Sequence, residues 1–246
     1  MSDLLFTLPI MMVAAFAHGA LGFGFPLLST PLLVLGMEIR SAILLTLIPT
    51  VTINFFSILS EARWKEAIRR FWPIPTFTIV GSFLGTQLLL TTDPSPYRLL
   101  LAIVVIAYLL SDRLPGTKKE RNVPAWGLAL FGLTLGLLAG VVNVFAPLIV
   151  IFALETRMKP ELMVATFNIS FLTSKSGQIA GFVSQGAFQG AEISFALLTL
   201  PLVLASLWAG IRLRKRIDVE SYRKALRFVL WIVALYLIIQ WLMTAT

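Results

Sequence analysis

The sequence has no cysteine and one histidine, and charge is scarce: 12 Asp and Glu with 20 Lys and Arg among 246 residues, or 13%. Without cysteine there are no disulfides, thiolate nucleophiles or cysteine metal sites. With a single histidine and no clustered acids, a metal centre lacks donors, so neither metal nor cofactor is expected. Soluble domains carry about 25% charged and about 45–50% apolar residues. A chain that is 58% hydrophobic, with mean hydropathy +0.89, does not suit a water-soluble globule. Disordered tails and nucleic-acid-binding domains are disfavoured by the same numbers. What remains is an all-α polytopic membrane protein, with lipid as its surroundings. Its net charge of +8 then marks cytoplasmic loops rather than a polyanion partner. Met1-Ser2-Asp3 carries no positive n-region, so no cleavable signal peptide is expected.

A membrane-spanning helix takes about 20 mostly apolar residues. Cutting the chain at its charges leaves an overlong first run, Leu4 to Gly36, whose only ionisable residue is His18. Its interior, HGALGFGFP from His18 to Pro26, has the glycines and proline at which a membrane helix breaks or re-enters. Spans are expected at 41–60, 72–90 and 97–110, separated by EARWKEAIRR (61–70) and TTDPSP (91–96). A second overlong run, 125–154, breaks at GVVNVFAP from Gly140 to Pro147, and spans at 162–184, 193–211 and 225–243 follow.

The two halves resemble copies. A shift of 121 carries Gly19, Gly22, Pro26 and Leu27 onto Gly140, Asn143, Pro147 and Leu148. A shift of 125 carries Gly85, Leu88, Asp93, Tyr97, Arg98 and Leu101 onto Gly210, Leu213, Asp218, Tyr222, Arg223 and Leu226. The expected organisation is repeat 1 over 1–111, a cytoplasmic linker over 112–124 and repeat 2 over 125–246. Each repeat is one broken hairpin plus three transmembrane helices. If both broken segments return to their side of entry, the loops at 61–70, 111–124, 156–160 and 212–224, with Arg227, lie on one side and hold 17 of the 20 bases. The positive-inside rule makes that side cytoplasmic. The repeats are then inverted, and both chain ends are expected on the non-cytoplasmic side.

The glycine-proline break opening each half, GSFLGTQLL (Gly81 to Leu89) followed by Asp-x-x-x-Tyr-Arg, and the duplication resemble the TauE/SafE sulfite exporter family over almost the whole chain. The resemblance implies an inner-membrane carrier for sulfite, organosulfonates or related small organic anions. The family's glycine-rich break is reduced here to Gly22-Phe23-Gly24, and Asn143-Val144-Phe145 takes its place in the second half.

A helix interrupted in the bilayer presents backbone N–H groups and the positive end of a half-helix, which suit an anion. Gly22, Gly24 and Asn143 are therefore candidate substrate-binding positions; close packing of small residues is the alternative. Lys175 is the sharpest single residue. An ammonium within a span costs about 2.5–3.5 kcal/mol on insertion scales, and all 12 acids lie in loops or near span ends. A bound anion is its natural partner, with snorkelling to an interface as the alternative. Lys175 aligns with Asn54 under the 121 shift, so two polar groups are expected to approach the centre from opposite halves. Asn143, Asn168, Ser174, Ser176 and Gln178 are candidate donors to sulfonyl oxygens, or else bond neighbouring backbone. His18 suits coupling to protons or helix-end hydrogen bonding; a coupling proton or sodium ion is the expected further partner.

Two other classes stay open on sequence alone. An intramembrane enzyme would have to use Ser174 or Ser176 with Lys175, and adjacent helical residues point about 100° apart. A cation carrier or channel would lack intramembrane carboxylates, although broken-helix carbonyls can hold cations.

Overall fold

In the computed structural model, which describes residues 2–60, 63–111, 123–187, 190–214 and 219–245, the chain is all helical and contains no strand among those residues. The helices are α1 (Ser2–Leu21), α2 (Phe25–Val34), α3 (Ile39–Ser60), α4 (Trp64–Phe71), α5 (Pro73–Thr91), α6 (Ser95–Ser111), α7 (Ala125–Val142), α8 (Ala146–Glu155), α9 (Pro160–Ser184), α10 (Gly190–Leu213) and α11 (Val219–Ala245). Five contain segments long and apolar enough to cross a membrane: α3, α5, α7, Ile193–Leu213 of α10 and Leu226–Met243 of α11. Exposed Leu59, Trp126, Leu198 and Met243 give the bundle the apolar outer surface that lipid requires. It is a polytopic membrane protein.

Both overlong segments break and double back, the first at Gly22–Gly24 and the second at Asn143–Phe145, with Pro26 and Pro147 in the first turn of the helix that follows each break. α1 runs through His18 and Gly19 before stopping at Leu21, so the break is confined to residues 22–24. α2 packs on α1, and a Cβ on Gly36, just beyond α2, would lie 2.8 Å from the Phe6 ring near the start of α1. The second segment closes likewise: Phe131, early in α7, stacks on Phe152, late in α8, at 4.6 Å between centroids. Its break spans residues 143–145.

EARWKEAIRR is more than a loop. From Trp64 it forms α4, which runs one residue beyond it to Phe71, an amphipathic helix that buries Ala67 and Phe71, four residues apart on one face, against α9 and leaves its bases outward. Arg63 pairs with Glu66 at 2.7 Å at its start.

The two ends of the bundle differ in charge. At one end Arg40 donates to the carbonyls of Leu89 (3.0 Å) and Thr92 (2.7 Å), and Gln87 donates to Ser184 Oγ at 2.8 Å. At the other, Arg227 donates to the Leu109 carbonyl and joins Tyr108, Met158 and Pro160 around one cavity. The bases of α4, of the turn at 156–159 and of the facing ends of α10 and α11 belong to this second end.

Helices from opposite halves approach at glycines. A Cβ on Gly85 (α5) would lie 2.4 Å from the Leu137 carbonyl oxygen and 3.0 Å from the Cα of Gly140 (α7). A Cβ on Gly19 (α1) would lie 2.2 Å from the Leu207 carbonyl oxygen and 3.1 Å from the carbonyl carbon of Gly210 (α10). Only residues without side chains permit backbones so close. α9 packs against α3, α4, α5, α7 and α8. This enclosure explains how its polar residues Asn168, Ser170, Ser174, Lys175 and Gln178 are tolerated, since protein rather than lipid surrounds them, whereas Ser176 is exposed on the outer face of α9.

Candidate functional site

Two polar clusters flank the breaks. The first is built on Asn143, which ends α7 in the left-handed conformation (φ 62°, ψ 10°). Among residues with a side chain, Asn takes this backbone region most readily, so one residue both stops the helix and turns an amide into the core. Its Nδ2 donates to Thr30 Oγ1 on α2 (2.9 Å) and Thr46 Oγ1 on α3 (3.0 Å). Thr46 spends its own proton on the carbonyls of Ala42 and Ile43, which leaves a lone pair for Asn143. Asn143 Oδ1 accepts from Lys175 Nζ.

Lys175 also donates to Gln178 Oε1, one helical turn along α9, and Gln178 Nε2 donates to the Ala139 carbonyl at 2.6 Å. The Phe171 ring lies 6.0 Å from Nζ. Lys175, Asn143, Gln178, Thr30 and Thr46 are all fully buried. Among the described residues no buried Asp or Glu accompanies them. The amide oxygens stabilise the ammonium as dipoles but leave its unit charge uncancelled, a costly arrangement in a protein interior. The cluster is a sealed, electropositive centre reached from both halves of the chain.

The second cluster braces the first break. Gly22 (φ 87°) and Gly24 (φ 113°) take backbone conformations that side chains disfavour. His18 Nδ1 accepts from the Phe25 N–H at 3.3 Å, so its proton sits on Nε2, which faces Ser57 Oγ at 2.9 Å. The imidazole thus ties α1, α3 and the start of α2 together. Asn168 on α9 donates from Nδ2 to the Gly22 carbonyl at 3.0 Å. The Phe25 N–H is committed to His18 and Pro26 has none, so α2 offers fewer donors to an anion than an open helix N-terminus would.

Not every candidate converges. Lys175, Asn143 and Gln178 form the first cluster; His18, Gly22 and Gly24 shape the second. Ser174 Oγ donates to the Phe171 carbonyl of its own helix at 2.8 Å, while Lys175 Nζ is held by two amides, so no Ser-Lys pair is assembled. Asn54 Nδ2 donates to the Thr50 carbonyl at 2.7 Å, and its Oδ1 is buried without a partner. Thr30, Thr46 and Ser57 were not legible in the sequence as site residues, because threonine and serine in apolar helices ordinarily bond back to the preceding turn.

Between the clusters lies an aromatic plug. Phe23 of the first break meets Phe167 at 4.9 Å, Phe167 meets Phe171 at 4.8 Å, and Phe145 of the second break stacks on Phe171 at 3.9 Å. A cavity of about 240 Å³ at the basic end reaches Phe23 and Gly24. A polar cavity of about 330 Å³ at the opposite end is lined by Glu38, Arg40, Ser41 and Gln185.

The family described as Sulfite exporter TauE/SafE matches residues 7–237. The chain belongs to that family. No curated protein and no solved structure matches it. TauE/SafE proteins are membrane transporters rather than enzymes, so the buried polar centre belongs to a transporter of the sulfite exporter type. Within a TauE/SafE chain, Asn143 stands where the first half has Gly22, and it supplies the oxygen that holds Lys175.

Proposed function

We propose that the protein is a secondary carrier that moves sulfite, an organosulfonate or a related small anion across the inner membrane by alternating access. The observation that carries this reading is the fully buried Lys175 ammonium, held by the oxygens of Asn143 and Gln178 with no buried carboxylate among the described residues. An oxyanion entering there would exchange neutral dipoles for a full opposite charge, and charge-assisted hydrogen bonds are about twice as strong as neutral ones. Asn143, with its amide protons on Thr30 and Thr46, and Gln178 would turn toward the substrate's oxygens as it replaced them on Nζ.

Alternating access calls for a central site closed to at least one side at a time and two bodies that rock around it. The Lys175 cluster is sealed, with a cavity toward each end of the bundle. Support for two inverted repeats comes from the glycine contacts. Gly19 and Gly140 are equivalent under the 121 shift and Gly85 and Gly210 under the 125 shift, and the pairs that meet are Gly19 with Gly210 and Gly140 with Gly85. A pseudo-two-fold axis would exchange these two contacts. The basic end would face the cytoplasm, which places both termini on the other side.

Uptake of labelled sulfite and organosulfonates into vesicles, with and without a pH gradient, tests the proposal. Anion-dependent flux through the wild-type chain is the expected result; its absence across a broad panel overturns the reading.

A further inference from the structure

The first break is the chemical opposite of the Lys175 cluster. Two buried oxygens without partners lie on the helices around it: Oδ1 of Asn54 on α3 and Oδ1 of Asn168 on α9. Both residues are at most 1% exposed, and α3 and α9 pack against each other. Neither amide can be turned over. Each Nδ2 already donates to a carbonyl, Thr50 for Asn54 and Gly22 for Asn168, and a flip would set oxygen against oxygen. Both orphans are therefore acceptors.

Short links join them. Asn54 lies one helical turn from Ser57, Ser57 faces His18, His18 lies one turn from Gly22, and Gly22 is held by Asn168. The N–H groups of this chain are spent: Phe25 N on His18, His18 Nε2 toward Ser57 and both Asn amides on carbonyls. Acceptors are in surplus. Gly22 N closes on the His18 carbonyl, and α1 supplies no further amide for the carbonyls of Gly19, Ala20 and Leu21, which form the negative end of its dipole. A small cation needs only acceptors, and the ends of broken membrane helices are where such cations are held by carbonyl oxygens.

We propose that the first break binds a monovalent cation of sodium's size, through Oδ1 of Asn54 and Asn168 and the carbonyl oxygens at the end of α1. The 121 shift gives this site its logic. Asn54 occupies in the first half the position Lys175 occupies in the second, so the duplicated scaffold has one cationic pole and one acceptor pole. A carrier with both poles can load an anion and its coupling cation on neighbouring breaks. The cation site itself does not depend on the anion reading.

The test is binding of radiolabelled sodium to the purified full chain in lipid nanodiscs, with no sulfite or sulfonate present and with potassium and choline as competitors. Saturable binding resisted by choline is expected, together with a rise in the thermal unfolding midpoint in sodium chloride over choline chloride. Asn54→Leu should weaken sodium at least tenfold, while Lys175→Ala should keep it, which separates failure of this site from failure of the anion site. Should Asn54→Leu not fold, Asn54→Asp decides: its oxygen and added negative charge should tighten sodium. No sodium-specific signal in the wild-type chain would mean that only water satisfies these oxygens and would overturn the proposal. Unchanged affinity in Asn54→Leu or Asn54→Asp would overturn it equally.

Discussion

The ammonium of Lys175 on α9 is held by the side-chain oxygen of Asn143, the residue that ends α7 in a left-handed turn. The break in one helix and the buried charge on another are thus a single device. Anything that pulls Nζ away frees the cap of α7, and anything that moves the break changes the field at Nζ.

Lys175→Ala should strongly weaken anion binding in a chain that still folds. Removing a buried ammonium relieves a burial cost but strands the buried oxygens of Asn143 and Gln178, so the thermal midpoint should change little. Loss of a charged hydrogen bond, about 2–3 kcal/mol, should weaken the anion roughly 30- to 160-fold. Lys175→Arg should weaken it less, because the charge stays but the larger fork must fit a packed cluster. Calorimetric titration beside thermal melting reads both quantities; unchanged affinity in a correctly folded Ala variant would refute the site.

Asn143 separates charge from shape. Asn143→Gly keeps the positive φ and removes the amide, so the fold should survive with weakened transport. Asn143→Asp places a carboxylate on Nζ, and this internal counter-ion should compete with the substrate and suppress flux more than Gly does. Vesicle uptake of the two variants side by side gives the order; a fully active Asp variant would contradict it.

Gly85→Ala and Gly210→Ala should each lower the thermal midpoint. Their Cβ atoms would meet backbone at 2.4 and 2.2 Å, and backbone cannot swing aside. Overpacking of this kind costs about 1–3 kcal/mol. Gly36→Ala should be milder, since the atoms it meets belong to the exposed side-chain ring of Phe6 rather than to backbone. Melting curves of the three variants test the ranking.

Because the native chain has no cysteine, a single introduced thiol reports one position without background. Thiols in α4 and at Gln185 should label from opposite sides of a sealed vesicle; labelling from the same side would exclude the inverted arrangement. Ser174→Cys, buried near Lys175, should be unreactive in the wild-type background and become labelled from the basic side when Phe167→Ala opens the aromatic plug.

Helix positions were legible wherever long apolar runs were bounded by charge, and both breaks were legible because each overlong uncharged run is too long for one span and carries glycine and proline close together near its middle. α4 was missed because its eight residues bury only one narrow face and look like a charged loop. Lys175 was legible because a base in a span is conspicuous. Its partners were less so. That Asn143 and Gln178 join it while Ser174 turns to its own backbone depends on the rotation of α9 against α7, which is set by backbone contacts at Gly177 with Ile79 and at Gly140 with Ser82. Such contacts leave no periodic trace in an apolar sequence.

The parallel seating of α5 against α7 and α9 carries a consequence for how the chain is made. The glycine face of α5 has its partners only in the second half, and the matching face of α10 has its partners in α1 and α3. During synthesis the first half must wait in the bilayer with that face on lipid until α7 emerges. Severed at the linker, neither piece should be stable alone, and the two co-expressed pieces should reassemble. If the halves are inverted copies, as proposed, a single half would need as its partner a second copy inserted the other way up.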